Sequence, residues 1–236
     1  MQLIVLLTHH FNDIFLNTLL KLNDSVNTDY KIIVLFDNQK EYDKTIEDTL
    51  KNIKIIKVDL IKTTYDRLGH SMYIHYFRNN YNEIKSYKYI WIIENDVYYP
   101  NSFIEFINMH NMYNYDLMVP EYGVRTRRWP WTNRLKGFSK KYNVGVLAVI
   151  MRFSPILLSI LIDTIDKTYS GYLESILPHI CMERGLSIQQ FLPQTIGNVT
   201  TKNNPYMTLI KKDITHGTKH YTEPKIYHPI KSHTSV

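Results

Sequence analysis

The sequence predicts an α/β fold built on an open, mostly parallel central sheet flanked by helices, and three observations predict it. Short apolar runs of strand length alternate with segments whose apolar residues recur at helical spacing, the pattern of a parallel sheet with crossover helices. The most apolar run, YKYIWIIEND, stops abruptly in charged residues, as strands do at the ligand-binding edge of open α/β sheets. The chain has 236 residues, of which 44% are hydrophobic, enough for the core of one sizeable domain.

Taken in order, residues 3–8 (LIVLLT) read as a buried strand and 12–23 as an amphipathic helix. A strand over 31–37 (KIIVLFD), a helical KTIEDTLK and a strand over 53–60 (IKIIKVDL) follow. A helix is expected over 69–85 and the strand that carries the acidic ending over 87–96. Pro and Asn in starting positions open a helix over 100–110, and 116–122 has strand character. The segment 123–142 shows neither period and is dense in Arg, Lys and Trp, which makes it a long functional loop. Strand character returns over 143–154, followed by a helix opened by Pro155, a second helical segment over 171–185 and a short strand in SIQQFLP. From Gln194 onward the chain reads as irregular, wrapping back over the domain.

Composition excludes several classes. A single cysteine, Cys181, rules out an internal disulfide framework and a cysteine-based zinc cluster and points to a reducing compartment, so a cytoplasmic location is expected. No stretch approaches the roughly 20 apolar residues that span a bilayer, and the opening MQLIVLLTHH fits a buried strand better than a signal peptide. The formal charge of +6 suits phosphate-bearing partners, although a slightly basic solvated surface accounts for most of the 28 Lys and Arg.

The chemistry is concentrated in YIWIIENDVYYP. In an extended chain residues i and i+2 point to the same side, so Glu94 and Asp96 can face one ligand at the exposed end of a buried strand. Two hard carboxylates suit Mg²⁺ or Mn²⁺ bridging a diphosphate. The same pair can also be an ordinary polar turn. The loop with Arg125, Arg127, Arg128, Trp129 and Trp131 combines aromatic faces, which stack on sugars, with guanidinium groups, which bind hydroxyls or acids. Aromatic and basic interleaving also marks single-stranded nucleic-acid grooves. Gly145 is a candidate for close backbone approach to a ligand, or for plain packing.

A strand that ends in an acidic-x-acidic triplet, here Glu94, Asn95 and Asp96, followed by a helix, resembles the DxD motif of the GT-A glycosyltransferases. The resemblance implies a single Rossmann-like GT-A domain, with a nucleotide-binding half over 1–97. The second half, 98–236, would bind the acceptor and carry a smaller sheet and a C-terminal metal-binding segment. It implies that Asp96 ligates the metal and that Glu94 reaches the donor ribose or a metal-bound water. The segment IYHPIKSH is similar to the family's C-terminal element, which makes His228 a metal ligand and Lys231 a diphosphate contact. His216, His220 and His233 compete for that role.

By the same likeness Thr8, His9, Asp37, Arg78 and Asn95 contact the donor nucleotide, beside Glu94 and Asp96, and Glu174, opening a helix, is the general base of an inverting transfer. Asp163, Asp166 and Glu183 are its rivals, and a plain helix-dipole role is an alternative for Glu174. Arg127, Arg128, Trp129 and Trp131 become the acceptor site. The implied partners are a UDP-sugar donor and a glycan or glycoconjugate acceptor, with Mn²⁺ or Mg²⁺ as cofactor and no nucleic acid. A standalone domain of this kind is similar to members in bacteria and large DNA viruses. Two other classes stay open: a nucleic-acid-binding or metal-dependent nucleotide-processing protein, and a noncatalytic sugar-binding module. Against the former, no Walker loop or GxGxxG is present.

Overall fold

The first strand, β1 (Gln2–Thr8), is buried along its whole length because it lies inside the sheet with a parallel partner on each side. Those partners are β2 (Tyr30–Asp37) and β4 (Ile90–Glu94), and β3 (Ile53–Val58) extends the sheet beyond β2, also in parallel. The structure is a computed structural model that describes residues 1–59, 70–124, 137, 143–165, 171–199 and 223–228. Its central sheet has seven strands in the order β3-β2-β1-β4-β8-β5-β9, where β5 is Leu117–Val119, β8 Ile150–Phe153 and β9 Ile188–Gln190. β8 runs antiparallel to both of its neighbours, and β5 and β9 are parallel to each other. The predicted α/β class with a mostly parallel central sheet is what is observed.

The strands alternate their side chains between two apolar layers, as the pleat requires. Leu3, Val5, Leu7, Ile90 and Ile92 face one layer, while Ile4, Leu6, Trp91 and Ile93 face the other. Helix α1 (Asp13–Ser25) covers the second face through Phe15, Leu19 and Leu22, starting where the Asn12 side chain accepts the Phe15 N–H at 2.9 Å. Helix α5 (Phe103–His110) packs on the same face with Phe103, Phe106 and Ile107. Helix α3 (His70–Asn79) covers the first face through Tyr73, Ile74 and Phe77, joined there by α6 (Pro155–Thr164) and α7 (Leu173–Arg184).

This layering positions the site. The chain steps from β1 through α1 to β2 on one side of β1, and from β3 through α3 to β4 on the other. Right-handed crossovers in opposite directions put their helices on opposite faces. The reversal opens a crevice at the carboxyl ends of β1 and β4, the topological switch point where open α/β sheets bind ligands.

Several boundaries differ from the sequence expectation. The helix expected over 69–85 breaks at Asn80, whose backbone leaves the helical region and whose side chain donates to the Tyr76 carbonyl at 2.9 Å; a second short helix, α4 (Tyr81–Ile84), follows. The strand expected over 116–122 is cut at Pro120, which has no N–H for a ladder, and its continuation β6 (Glu121–Val124) joins a different sheet. The run 143–154 likewise divides into β7 (Val144–Leu147), antiparallel to β6 with Gly145 facing Gly123, and β8 in the central sheet. The tail after Gln194 is not wholly irregular: β10 (Ile196–Val199) and β11 (Ile226–His228) form a parallel pair. Among the described residues, no helix is long and apolar enough to cross a membrane.

Candidate functional site

Because β1, β2 and β4 are parallel and nearly in register, their carboxyl ends present Thr8, Asp37 and Glu94 along one edge. Glu94 is the last residue of β4, and its N–H donates to the Val149 carbonyl at 3.0 Å. The chain then turns at once, with the Val97 N–H on the Glu94 carbonyl at 3.1 Å. Asn95 and Asp96 therefore lie in a tight turn, not in the extended chain that the i, i+2 argument assumed. The two carboxylates still converge, because the turn folds Asp96 back toward a third residue.

That residue is His228. Two residues beyond Asp96, Tyr98 pairs with Tyr227 through reciprocal backbone bonds of 2.9 Å each, which fastens β11 beside the acidic turn. The buried His228 imidazole then sits with Nε2 at 3.2 Å from Asp96 Oδ1 and 3.7 Å from Glu94 Oε2. The candidate ligand atoms of the three residues all lie within 4.8 Å of one another.

The three donors are spaced as ligands of a divalent cation would be. Ligands about 2.1 Å from an octahedral ion are roughly 3 Å apart when adjacent and about 4 Å when opposite, so the distances of 3.2 and 3.7 Å from His228 Nε2 to the two carboxylates fit one coordination sphere. Two oxygen donors and one neutral imidazole nitrogen suit Mn²⁺ or Mg²⁺ and leave positions for other oxygens.

Tyr227 has a tight seat. A Cβ placed on Gly197 of β10 would come within 2.5 Å of the Tyr227 ring and 3.0 Å of the Ile226 carbonyl, so only glycine lets β10 and β11 approach this closely.

Around the acidic turn, Asn95 donates from Nδ2 to Thr8 Oγ1 at 3.2 Å. His9 stands in the loop that follows β1. Desolvation and the neighbouring His10 lower its pKa, while Asp37 and Asp96 pull it back up, which records that all of these groups share one neighbourhood. Asp37 is nearly buried, and its Oδ1 accepts the Gln39 N–H at 3.0 Å, shaping the turn after β2.

Two further expected residues, Arg78 and Glu174, stand on helices α3 and α7. Arg78, anticipated against the donor, directs its guanidinium to the Ile162 carbonyl at 3.3 Å and the Ile165 carbonyl at 2.8 Å, where it offsets the negative end of α6. Glu174 is in the first turn of α7, with Oε2 shielded from solvent. Four residues on, Pro178 has no N–H to donate to the Glu174 carbonyl. Its rivals Asp163 and Glu183 are exposed. Arg125, Arg127, Arg128, Trp129, Trp131, Asp166, His216, His220, Lys231 and His233 lie outside the described residues.

Sequence reasoning missed the Tyr98–Tyr227 pairing, the Gly197 seat and the Thr8–Asn95 link. The first had a signal: Ile226, Tyr227 and His228 form a β-prone run closed by Pro229, which reads as a short strand.

No protein-family model matches the chain, and no curated protein matches it. Among solved structures, the chain is similar to the glycosyltransferase GlyE of Streptococcus pneumoniae TIGR4, at TM-score 0.46 and 11% identity over 97% of this chain and 54% of that one. The chain thus spans about half the length of that structure. It is also similar to mouse xyloside xylosyltransferase 1 in its apo form, at TM-score 0.47 and 13% identity over 96% of each chain. At these identities no residue role is transferred.

Proposed function

We propose that this chain is a metal-dependent GT-A-type glycosyltransferase, which moves a sugar from a nucleotide-sugar donor, of the UDP-sugar kind, to a hydroxyl of a glycan or glycoconjugate. The observation that carries this reading is the meeting of Asp96, Glu94 and His228 at the carboxyl edge of the parallel sheet, at the switch point between β1 and β4.

In this reading Asp96 and His228 hold the cation and Glu94 completes the site or meets the donor ribose. A divalent ion held there supplies Lewis-acid neutralisation of the departing nucleoside diphosphate. His9 and Asp37 border the same edge on the β2 side, where they would face the nucleoside. Glu174 takes the proton of the acceptor hydroxyl while the new bond forms at the anomeric carbon and the bond to the diphosphate breaks, an inverting displacement. Arg127, Arg128, Trp129 and Trp131 are proposed for the acceptor and Lys231 for the diphosphate. Arg78 is left out, since its guanidinium serves α6.

The test is release of nucleoside diphosphate from a panel of nucleotide sugars, with Mn²⁺, after chelation, and after Mn²⁺ is restored. The expected result is turnover of at least one donor that stops on chelation and returns with the metal. A protein that neither binds nor cleaves any donor in the panel would overturn the reading.

A further inference from the structure

Thr8 Oγ1 links the end of β1 to the acidic turn after β4, beyond the ladder that the two strands share. The hydroxyl donates to the His10 carbonyl at 2.5 Å, accepts the His10 N–H at 3.1 Å and accepts Asn95 Nδ2 at 3.2 Å. A threonine hydroxyl has one proton to give and two lone pairs to receive with, so these bonds use its whole capacity. The residue is only 3% exposed. It has nothing left to offer a ligand.

We propose that Thr8 is a positioning residue for the cation site: through Asn95 it holds the middle of the 94–97 turn, so that the Glu94 and Asp96 carboxylates meet His228. This rests on the metal reading of that cluster and replaces a direct donor contact by Thr8. Backbone bonds also anchor the turn at its ends, from Glu94 N–H to the Val149 carbonyl and from Val97 N–H to the Glu94 carbonyl. The Asn95 amide ties the residue between the two acids to β1, and Thr8 in turn fixes the first residues of the loop toward α1 through His10. One hydroxyl therefore sets the nucleotide-side loop and the acidic turn relative to each other. Groups that orient metal ligands without touching the metal typically change its affinity by about 10- to 100-fold when removed.

The experiment is a double-mutant cycle with Thr8→Val, Asn95→Ala and the pair, using Thr8→Ser as the variant that keeps the hydroxyl. Free Mn²⁺ is measured by electron paramagnetic resonance, and UDP binding is measured in chelator. Thr8→Val and Asn95→Ala are each expected to weaken Mn²⁺ about tenfold and the pair also about tenfold, with Thr8→Ser within about twofold of wild type. Metal-free UDP affinity is expected to stay unchanged. Additive losses of about a hundredfold, or a Thr8→Val protein that loses metal-free UDP affinity while keeping its Mn²⁺, would overturn the proposal and return Thr8 to direct contact.

Hydrogen exchange supplies a readout independent of metal. The amides of residues 95–97 should exchange faster in Thr8→Val and as in wild type in Thr8→Ser; unchanged exchange in Thr8→Val overturns the tether. A wild type that binds no Mn²⁺ defeats the metal reading by itself, and the exchange data then still decide whether Thr8 holds the turn.

Discussion

His228 Nε2 stands 3.2 Å from Asp96 Oδ1, although one residue lies in the turn that follows β4 at the sheet's switch point and the other in the last described strand of the chain. The contact is made possible by the paired backbones of Tyr98 and Tyr227, and it brings an imidazole to two acids that sequence neighbours could not supply.

Asp96→Asn and His228→Ala should each weaken Mn²⁺ by more than about 100-fold, beyond the range of a residue that merely orients a ligand. Isothermal titration with Mn²⁺ alone checks this. Near wild-type affinity in both variants would remove the cluster from metal binding.

Gly197→Ala should act on the site from a distance. The added methyl group would meet the Tyr227 ring at 2.5 Å, and relieving that overlap moves Tyr227 and with it the adjacent His228. Overpacking of this kind costs about 1–3 kcal/mol, and Mn²⁺ affinity should fall together with the melting temperature. Combining it with Tyr227→Ala, which empties the space, should recover part of the stability. A Gly197→Ala protein as stable as wild type would show that β10 and β11 can separate at no cost.

His110 should make the fold acid-sensitive. Its buried ring donates from Nδ1 to the Phe106 carbonyl at 2.8 Å and accepts the Leu192 N–H on Nε2 at 3.1 Å, so only the neutral form fits. Burial, and to a lesser extent Arg152, lowers its pKa from 6.5 to about 4. The unfolded chain therefore takes up the proton first. The contribution of the neutral ring is complete above pH 6.5 and is lost as the pH falls toward 4, a change of about 3 kcal/mol at most. Urea titrations between pH 7 and 4 should show this slope, and His110→Gln should flatten it.

Glu174→Gln should leave donor affinity within about twofold and lower transfer by about 10²- to 10⁴-fold, the range of general-base catalysis. Single-turnover transfer measured beside donor binding distinguishes this from misfolding. Full activity in the variant would move the base elsewhere.

The sheet was legible in the sequence because its strands obey local rules. LIVLLT, KIIVLFD and YIWIIE are apolar on both faces, and each is bounded by polar turns, so their parallel, doubly covered setting followed directly. The breaks at Asn80 and Pro120 were written there too, as a side chain that competes for a helix carbonyl and a ring without an N–H. The acids at 94 and 96 were recognised through an argument about extended chain that the turn at Asn95 replaces. What joins distant segments was not legible: no local pattern states that Thr8 receives Asn95, that Gly197 lies against Tyr227, or that Arg78 serves α6. Such contacts depend on how layers stack, and periodicity does not encode that.

The ladder between Tyr98 and Tyr227 also sets an order in time. Both acids leave the ribosome with the end of the fourth strand, whereas Ile226, Tyr227 and His228, which bring the third donor to them, emerge only near the end of synthesis. On the proposed metal reading, a chain that ends before His228 would present a two-acid edge in place of a three-donor one.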